Sequence, residues 1–171
     1  VAQPLEPALD TYRNPFALYL AATRPAFLSA SLAAGLLGLA SAAYSGVVLH
    51  GMLVVATLLF ALVAHAGVNV LNDHYDALNG SDTQNTERIF PFTGGSRFIQ
   101  NGLLSLKQTA RFGFVLLSTV ALAGLWLMKI STLQLAWIGL AGLFIGWAYS
   151  APPFKLNSRG LGEICVTGGF C

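Results

Sequence analysis

The 171 residues are 55% hydrophobic and 9% charged, with nine Lys and Arg against seven Asp and Glu and a net charge of +2. Mean hydropathy is +0.65. A soluble domain charges about a quarter of its residues, so that class is excluded, and no nucleic-acid partner is expected. Period-two alternation, the pattern of a membrane barrel, is missing. The composition therefore predicts an all-α, polytopic membrane helical bundle, because in lipid every backbone group must be satisfied inside helices or a closed barrel.

Residues 1–23 read as a cytoplasmic N-terminal segment. The first twenty carry Glu6, Asp10, Arg13 and three prolines, with no apolar run of the signal-peptide kind. Four apolar spans follow by length and polarity. They are Pro25 to Val48, Gly51 to Leu78, Ala110 to Ile130 and Leu133 to Tyr149. A fifth begins near Leu161 and has about ten residues before Cys171, too few to cross a core of about 30 Å. Residues 24–171 are thus expected to be the N-terminal part of a larger transmembrane domain. Cys165 and Cys171 form no metal-ligand spacing and read as apolar filler.

In span one, Ala30, Ala34, Gly38, Ala42 and Gly46 recur every fourth residue, which predicts a close helix contact. Gly142 and Gly146 repeat the spacing in span four. Both features concern packing, not chemistry. Eight of the nine basic residues fall on one side of the spans, Lys129 alone on the other. The positive-inside rule then puts the N-terminus and both long loops in the cytoplasm.

Chemistry concentrates at the end of span two. Asn69, Asn72, Asp73 and Asp76 are three or four residues apart and share a helix face. Acids at the end of an uncharged apolar run are functional candidates by default. Four oxygen-bearing side chains on one stripe suit a hard cation such as Mg²⁺. The loop that follows adds Asp82 and Glu87, Arg88 and Arg97, and the flexible run Thr93-Gly94-Gly95-Ser96. Carboxylates for a metal beside arginines for phosphate oxygens are what a metal–diphosphate needs. After span four, Pro152 and Pro153 stop the helix, and Lys155 and Arg159 face the same surface. His50 is expected at the outer surface and His65 as a packed, hydrogen-bonded core histidine. His74 points about 100° away from Asp73 and is left out of the metal set.

With these residues on the page, the chain resembles the UbiA superfamily of intramembrane aromatic prenyltransferases. The likeness rests on Asn72-Asp73-x-x-Asp76, on Tyr149-Ser-Ala-Pro-Pro-Phe-Lys155, and on Arg159-Gly-Leu-Gly-Glu163. Asn79-Gly-Ser-Asp82 and Gly94-Gly-Ser-Arg97-Phe-Ile-Gln100-x-Gly102 are more similar to the 1,4-dihydroxy-2-naphthoate polyprenyltransferase branch than to the 4-hydroxybenzoate branch. The resemblance implies a nine-helix fold around a central cavity, with two Asp-rich motifs facing each other across Mg²⁺.

It also implies a reaction: polyprenyl transfer from a prenyl diphosphate to an aromatic acceptor in quinone (menaquinone) biosynthesis, in a bacterial inner membrane with the active site cytoplasmic. Asp73 and Asp76 would be catalytic, and Asn72, Asp73, Asp76 and Asp82 would hold the metal. Arg88, Arg97, Tyr149 and Lys155 would bind diphosphate. Asn69 and Arg24 would touch substrate, Arg24 approaching the aromatic acid. Partners are then polyprenyl diphosphate, the acceptor and membrane lipid. A second Asp-rich motif does not occur in these residues. Other readings are another UbiA branch (4-hydroxybenzoate, chlorophyll or homogentisate type), a cation-coupled transporter and a non-catalytic membrane fragment.

Overall fold

A computed structural model of the chain describes residues 6–84, 87, 89, 90 and 95–170. Among these residues all regular structure is helical. The elements are α1 (Pro15–Ala22), α2 (Pro25–Tyr44), α3 (Gly51–Asn79), α4 (Ser81–Gln84), α5 (Leu106–Ile130), α6 (Leu135–Ala148) and α7 (Gly162–Phe170), with a 3₁₀ turn at Leu156–Arg159.

The helix ends follow from local chemistry. Asn14 caps α1, its side chain accepting from the Phe16 N–H at 2.9 Å, and Pro15 occupies the first turn, where no N–H is needed. Sequence periodicity did not flag this helix, because α1 is only eight residues long and follows a stretch rich in proline and charge. Helix α2 stops at Tyr44, four residues before the expected end. Gly46 (φ 84°) closes a Schellman turn there, its N–H donating to the Ala43 carbonyl and the Val47 N–H to that of Ala42, both at 3.0 Å. Helix α5 starts four residues earlier than its apolar run, on a capping box between Ser105 and Gln108.

Three helices, α2, α3 and α5, are long and apolar enough to cross a membrane. Four complete spans were expected. Helix α6 has 14 residues, about 21 Å of rise against a core of about 30 Å. It is shortened by a turn at Thr132–Gln134 and by the chain reversal before Pro152, although turn hydrogen bonds continue it at both ends. Large apolar side chains are widely exposed on these helices, Trp137 at 76% and Ile138 at 71% among them. Such a surface is stable in lipid and not in water, and the chain is an integral membrane protein.

Helix α3 is the hub, packing on α2, α5 and α6. Its approach to α5 depends on two glycines: a methyl group at Gly67 would lie 2.8 Å from Leu117, and one at Gly113 would lie 2.7 Å from Leu71. Gly146 meets Val68 in the same way, while Gly142 faces open space. Of the expected stripe on α2, Gly38 and Gly46 have nothing within 4 Å, while Gly35, beside the stripe, meets Leu58 of α3. A small core then covers one end of α3, with Ala22 of α1 packed on Phe98 and Leu104.

Candidate functional site

The end of α3 continues as polar helix past the apolar layer and stops at Gly80 (φ 77°). Its four singled-out side chains divide between two neighbourhoods. Asn69 and Asp73 face the corner between α1 and α2. Asn69 donates to the Thr23 carbonyl at 3.0 Å. The buried Asp73 carboxylate is paired with the Arg24 guanidinium and also accepts the Ser96 backbone N–H at 3.2 Å. Arg24 adopts a left-handed conformation (φ 56°) at the N-cap of α2, which turns its side chain onto α3. Its Nε is buried and has no hydrogen-bond partner among the described residues.

Asn72 and Asp76 face the end of α6. Asn72 Nδ2 donates to Asp76 Oδ2 at 2.8 Å and to Ser150 Oγ at 2.6 Å. Asn157, on the 3₁₀ turn, donates to Asp76 Oδ1 at 3.3 Å and to Ser150 Oγ at 3.4 Å. The turn is held there by the Asn157 N–H, which donates to the Tyr149 carbonyl at 2.9 Å. Asp76 is thus held at both oxygens by neutral amides, and no cation pairs with it among the described residues. Ser150 and Asn157 had not been singled out, although both sit in or just after the quoted Tyr149–Lys155 stretch.

Asp82 is buried on α4, near Gly95 and Gln100. Gln100 donates to its Oδ2 at 3.4 Å, and Arg97 Nη1 donates to its backbone carbonyl at 2.8 Å. Gly95 (φ 75°) has no room for a side chain, which would collide with the Asp82 carboxylate. Burial pushes the Asp82 carboxyl above its ordinary range, the negative charge of Asp73 adds to this, and Arg24 and Arg97 oppose it. Arg97, also left-handed (φ 66°), lies 3.8 Å from Glu6. Arg88 and the Thr93-Gly94 pair lie outside the described residues.

Tyr149 caps α6 and lines a cavity of about 910 Å³ bounded by α2, α3, α5, α6 and α7, whose walls are almost wholly apolar. Lys155 is half-buried, left-handed (φ 46°), and makes no ion pair among the described residues. Among those residues, no three Asp, Glu, His or Cys side chains converge as a ready metal cage. The donors present are carboxylate and amide oxygens, which suit a hard cation sharing its shell with water and phosphate.

The chain matches the UbiA prenyltransferase family over residues 16–171. It is similar to the "2-carboxy-1,4-naphthoquinone phytyltransferase" of Synechocystis sp., 30% identical over 156 residues, covering 87% of this chain and 46% of that protein. It is also similar to the "1,4-dihydroxy-2-naphthoate octaprenyltransferase" of Bacillus subtilis, 29% identical over 142 residues (83% and 43%). A third relative is "UbiA prenyltransferase domain-containing protein 1" of Rattus norvegicus, 30% identical over 152 residues (82% and 43%). The chain spans less than half the length of each. No solved structure matches it. The chain belongs to the UbiA prenyltransferase family.

Proposed function

We propose that this chain forms the diphosphate-binding part of an intramembrane prenyltransferase that moves a polyprenyl group onto 1,4-dihydroxy-2-naphthoate or a related aromatic ring. The observation that carries the reading is Asp76, an acid fixed at both oxygens that pairs with no cation among the described residues, beside an apolar cavity of about 910 Å³. The cavity suits a prenyl chain, and the acid cluster suits the polar end of its diphosphate. The names of the Synechocystis and Bacillus relatives support a naphthoate-type acceptor.

The oxygen-only donor set fits Mg²⁺, which is commonly held by one or two carboxylates and completed by substrate phosphates. Asp76, Asn72 and Asp82 would hold it, with Asp73 beside them. When bound it would neutralise charge on the departing diphosphate. The protein's own groups do the rest. Lys155, which makes no ion pair among the described residues, offers its ammonium to the diphosphate, and the Tyr149 hydroxyl offers a donor at the cavity wall. Arg97 and Arg88 would add cationic contacts. The Arg24 Nε–H, without a partner among the described residues, is suited to the acceptor carboxylate, and Asn69 steadies that corner through Thr23. Apolar walls keep water from the allylic carbon while the ring carbon attacks. Membrane lipid surrounds the spans, in a bacterial inner membrane with this end cytoplasmic, as the basic residues favour.

The full-length protein in lipid nanodiscs, given a polyprenyl diphosphate and 1,4-dihydroxy-2-naphthoate, should turn over with Mg²⁺ and stop with EDTA. Asp76→Ala should lower the rate about a hundred- to a thousandfold, the size of loss seen when transition-state charge stabilisation is removed. Near-normal turnover by that variant, or indifference to EDTA, would contradict the assignment.

A further inference from the structure

Most hydroxyls with described bonds in the long helices are satisfied on their own helix. Ser29 donates to the Ala26 carbonyl at 2.6 Å and Thr119 to that of Val115 at 2.9 Å. Ser131, at the end of α5, donates to Leu127 at 2.8 Å. This is the usual local solution for a hydroxyl in an apolar setting. Ser31 is different. Its Oγ lies 2.8 Å from Nδ1 of His65 on the facing helix α3. Both residues are buried, at 6% and 8% exposure. Ser31 also lines the apolar cavity. An ionisable side chain inside a span is costly, and its retention points to function.

A hydroxyl offers one donor and two acceptor positions. The His65 bond uses one of them. In either ring tautomer, Ser31 keeps capacity for an oxygen-bearing group inside the cavity. A prenyl chain has no polar atom to take it up, whereas an aromatic hydroxy acid does.

We propose that Ser31, oriented by His65, binds the ring oxygen of the aromatic acceptor that lies farther from its carboxylate. The proposal rests on the prenyltransferase reading above and adds to it the acceptor's hydroxyl site. Ser31 touches the acceptor; His65 is a positioning residue that acts through Ser31.

The test uses the full-length protein in nanodiscs, with 1,4-dihydroxy-2-naphthoate and geranylgeranyl diphosphate as probes. Acceptor binding is read from the naphthoate's own fluorescence, and KM is measured for each substrate. Ser31→Ala is expected to raise the acceptor Kd and KM about tenfold, the loss of one hydrogen bond at a buried site. The diphosphate KM should not move. Ser31→Thr, which keeps the hydroxyl, should restore acceptor binding, and His65→Leu should weaken it several-fold. A purely structural clamp between α2 and α3 would instead shift both substrates alike. An unchanged acceptor Kd in Ser31→Ala, with wild-type turnover intact, would overturn this proposal alone. A wild type that binds neither probe would overturn the prenyltransferase reading and this proposal with it. Should Ser31→Ala fail to fold, 1-hydroxy-2-naphthoate, which lacks the 4-oxygen, asks the same question of the wild type. About tenfold weaker binding supports the site and equal binding overturns it.

Discussion

Asp73 and Asp76 stand three residues apart on one helix, yet their surroundings are opposite in kind. Asp73 meets a cation, Arg24, and a backbone N–H, that of Ser96. Among the described residues, Asp76 meets the neutral amides of Asn72 and Asn157 and no cation. At about 100° per residue, Asn69 and Asp73 lie along one edge of the polar stripe, and Asn72 and Asp76 along the other. The first edge is closed by α1, the α2 N-terminus and the loop before α5. The second is closed by the end of α6 and the turn after it. Asp73 is thus balanced inside the protein, and Asp76 is oriented but not balanced. A shared motif has given one acid a cationic partner and left the other without one among the described residues.

The comparison breaks most visibly in stability. Removing one member of a buried ion pair leaves the other charge uncompensated and costs about 3–5 kcal/mol. Asp73→Ala should therefore lower the unfolding midpoint of the metal-free protein severely, and Asp73→Leu with Arg24→Met should recover part of the loss. Asp76→Asn, which keeps the shape and removes the charge, should leave that midpoint nearly unchanged. Equal losses in the two single variants would erase the distinction. Asn157→Ala and Ser150→Ala should each cost about 1 kcal/mol, the net worth of a hydrogen bond. Their larger effect should be on Mg²⁺ affinity, because they release the Asp76 carboxylate.

The smallest effect is in pH. The Asp82 carboxyl is raised, first by burial and then by Asp73. A folded-state pKa above the unfolded value means the fold favours the protonated acid. That contribution is fully present below the unfolded pKa and is lost as pH rises through the raised one. Metal-free protein should lose a little stability across that window, and Asp82→Asn should flatten the slope.

Much of the fold was legible because hydropathy marks long apolar helices directly. The polar end of α3 was equally plain, since acids break an otherwise uncharged run. What periodicity missed was local or distant. Helix α1 lies in a segment laced with proline and charge, where capping by Asn14 outweighs pattern. The first turns of α5 are polar because Lys107 and Arg111 sit there, so the apolar run began too late. On α2, the close approach at Gly35 depends on Leu58 of the partner helix, which spacing within α2 does not show. The partners of the two acids were beyond any pattern argument, with Arg24 49 residues from Asp73 and Asn157 81 residues from Asp76. Helix spacing identified the stripe, while tertiary packing decided that it faces two ways.

The most direct measurement is Mg²⁺ binding by calorimetry, in the presence of inorganic diphosphate, to full-length wild type, Asp76→Asn and a folded Asp73→Asn. Binding should vanish in Asp76→Asn and persist, weakened, in Asp73→Asn. Wild-type binding retained by Asp76→Asn would contradict the account.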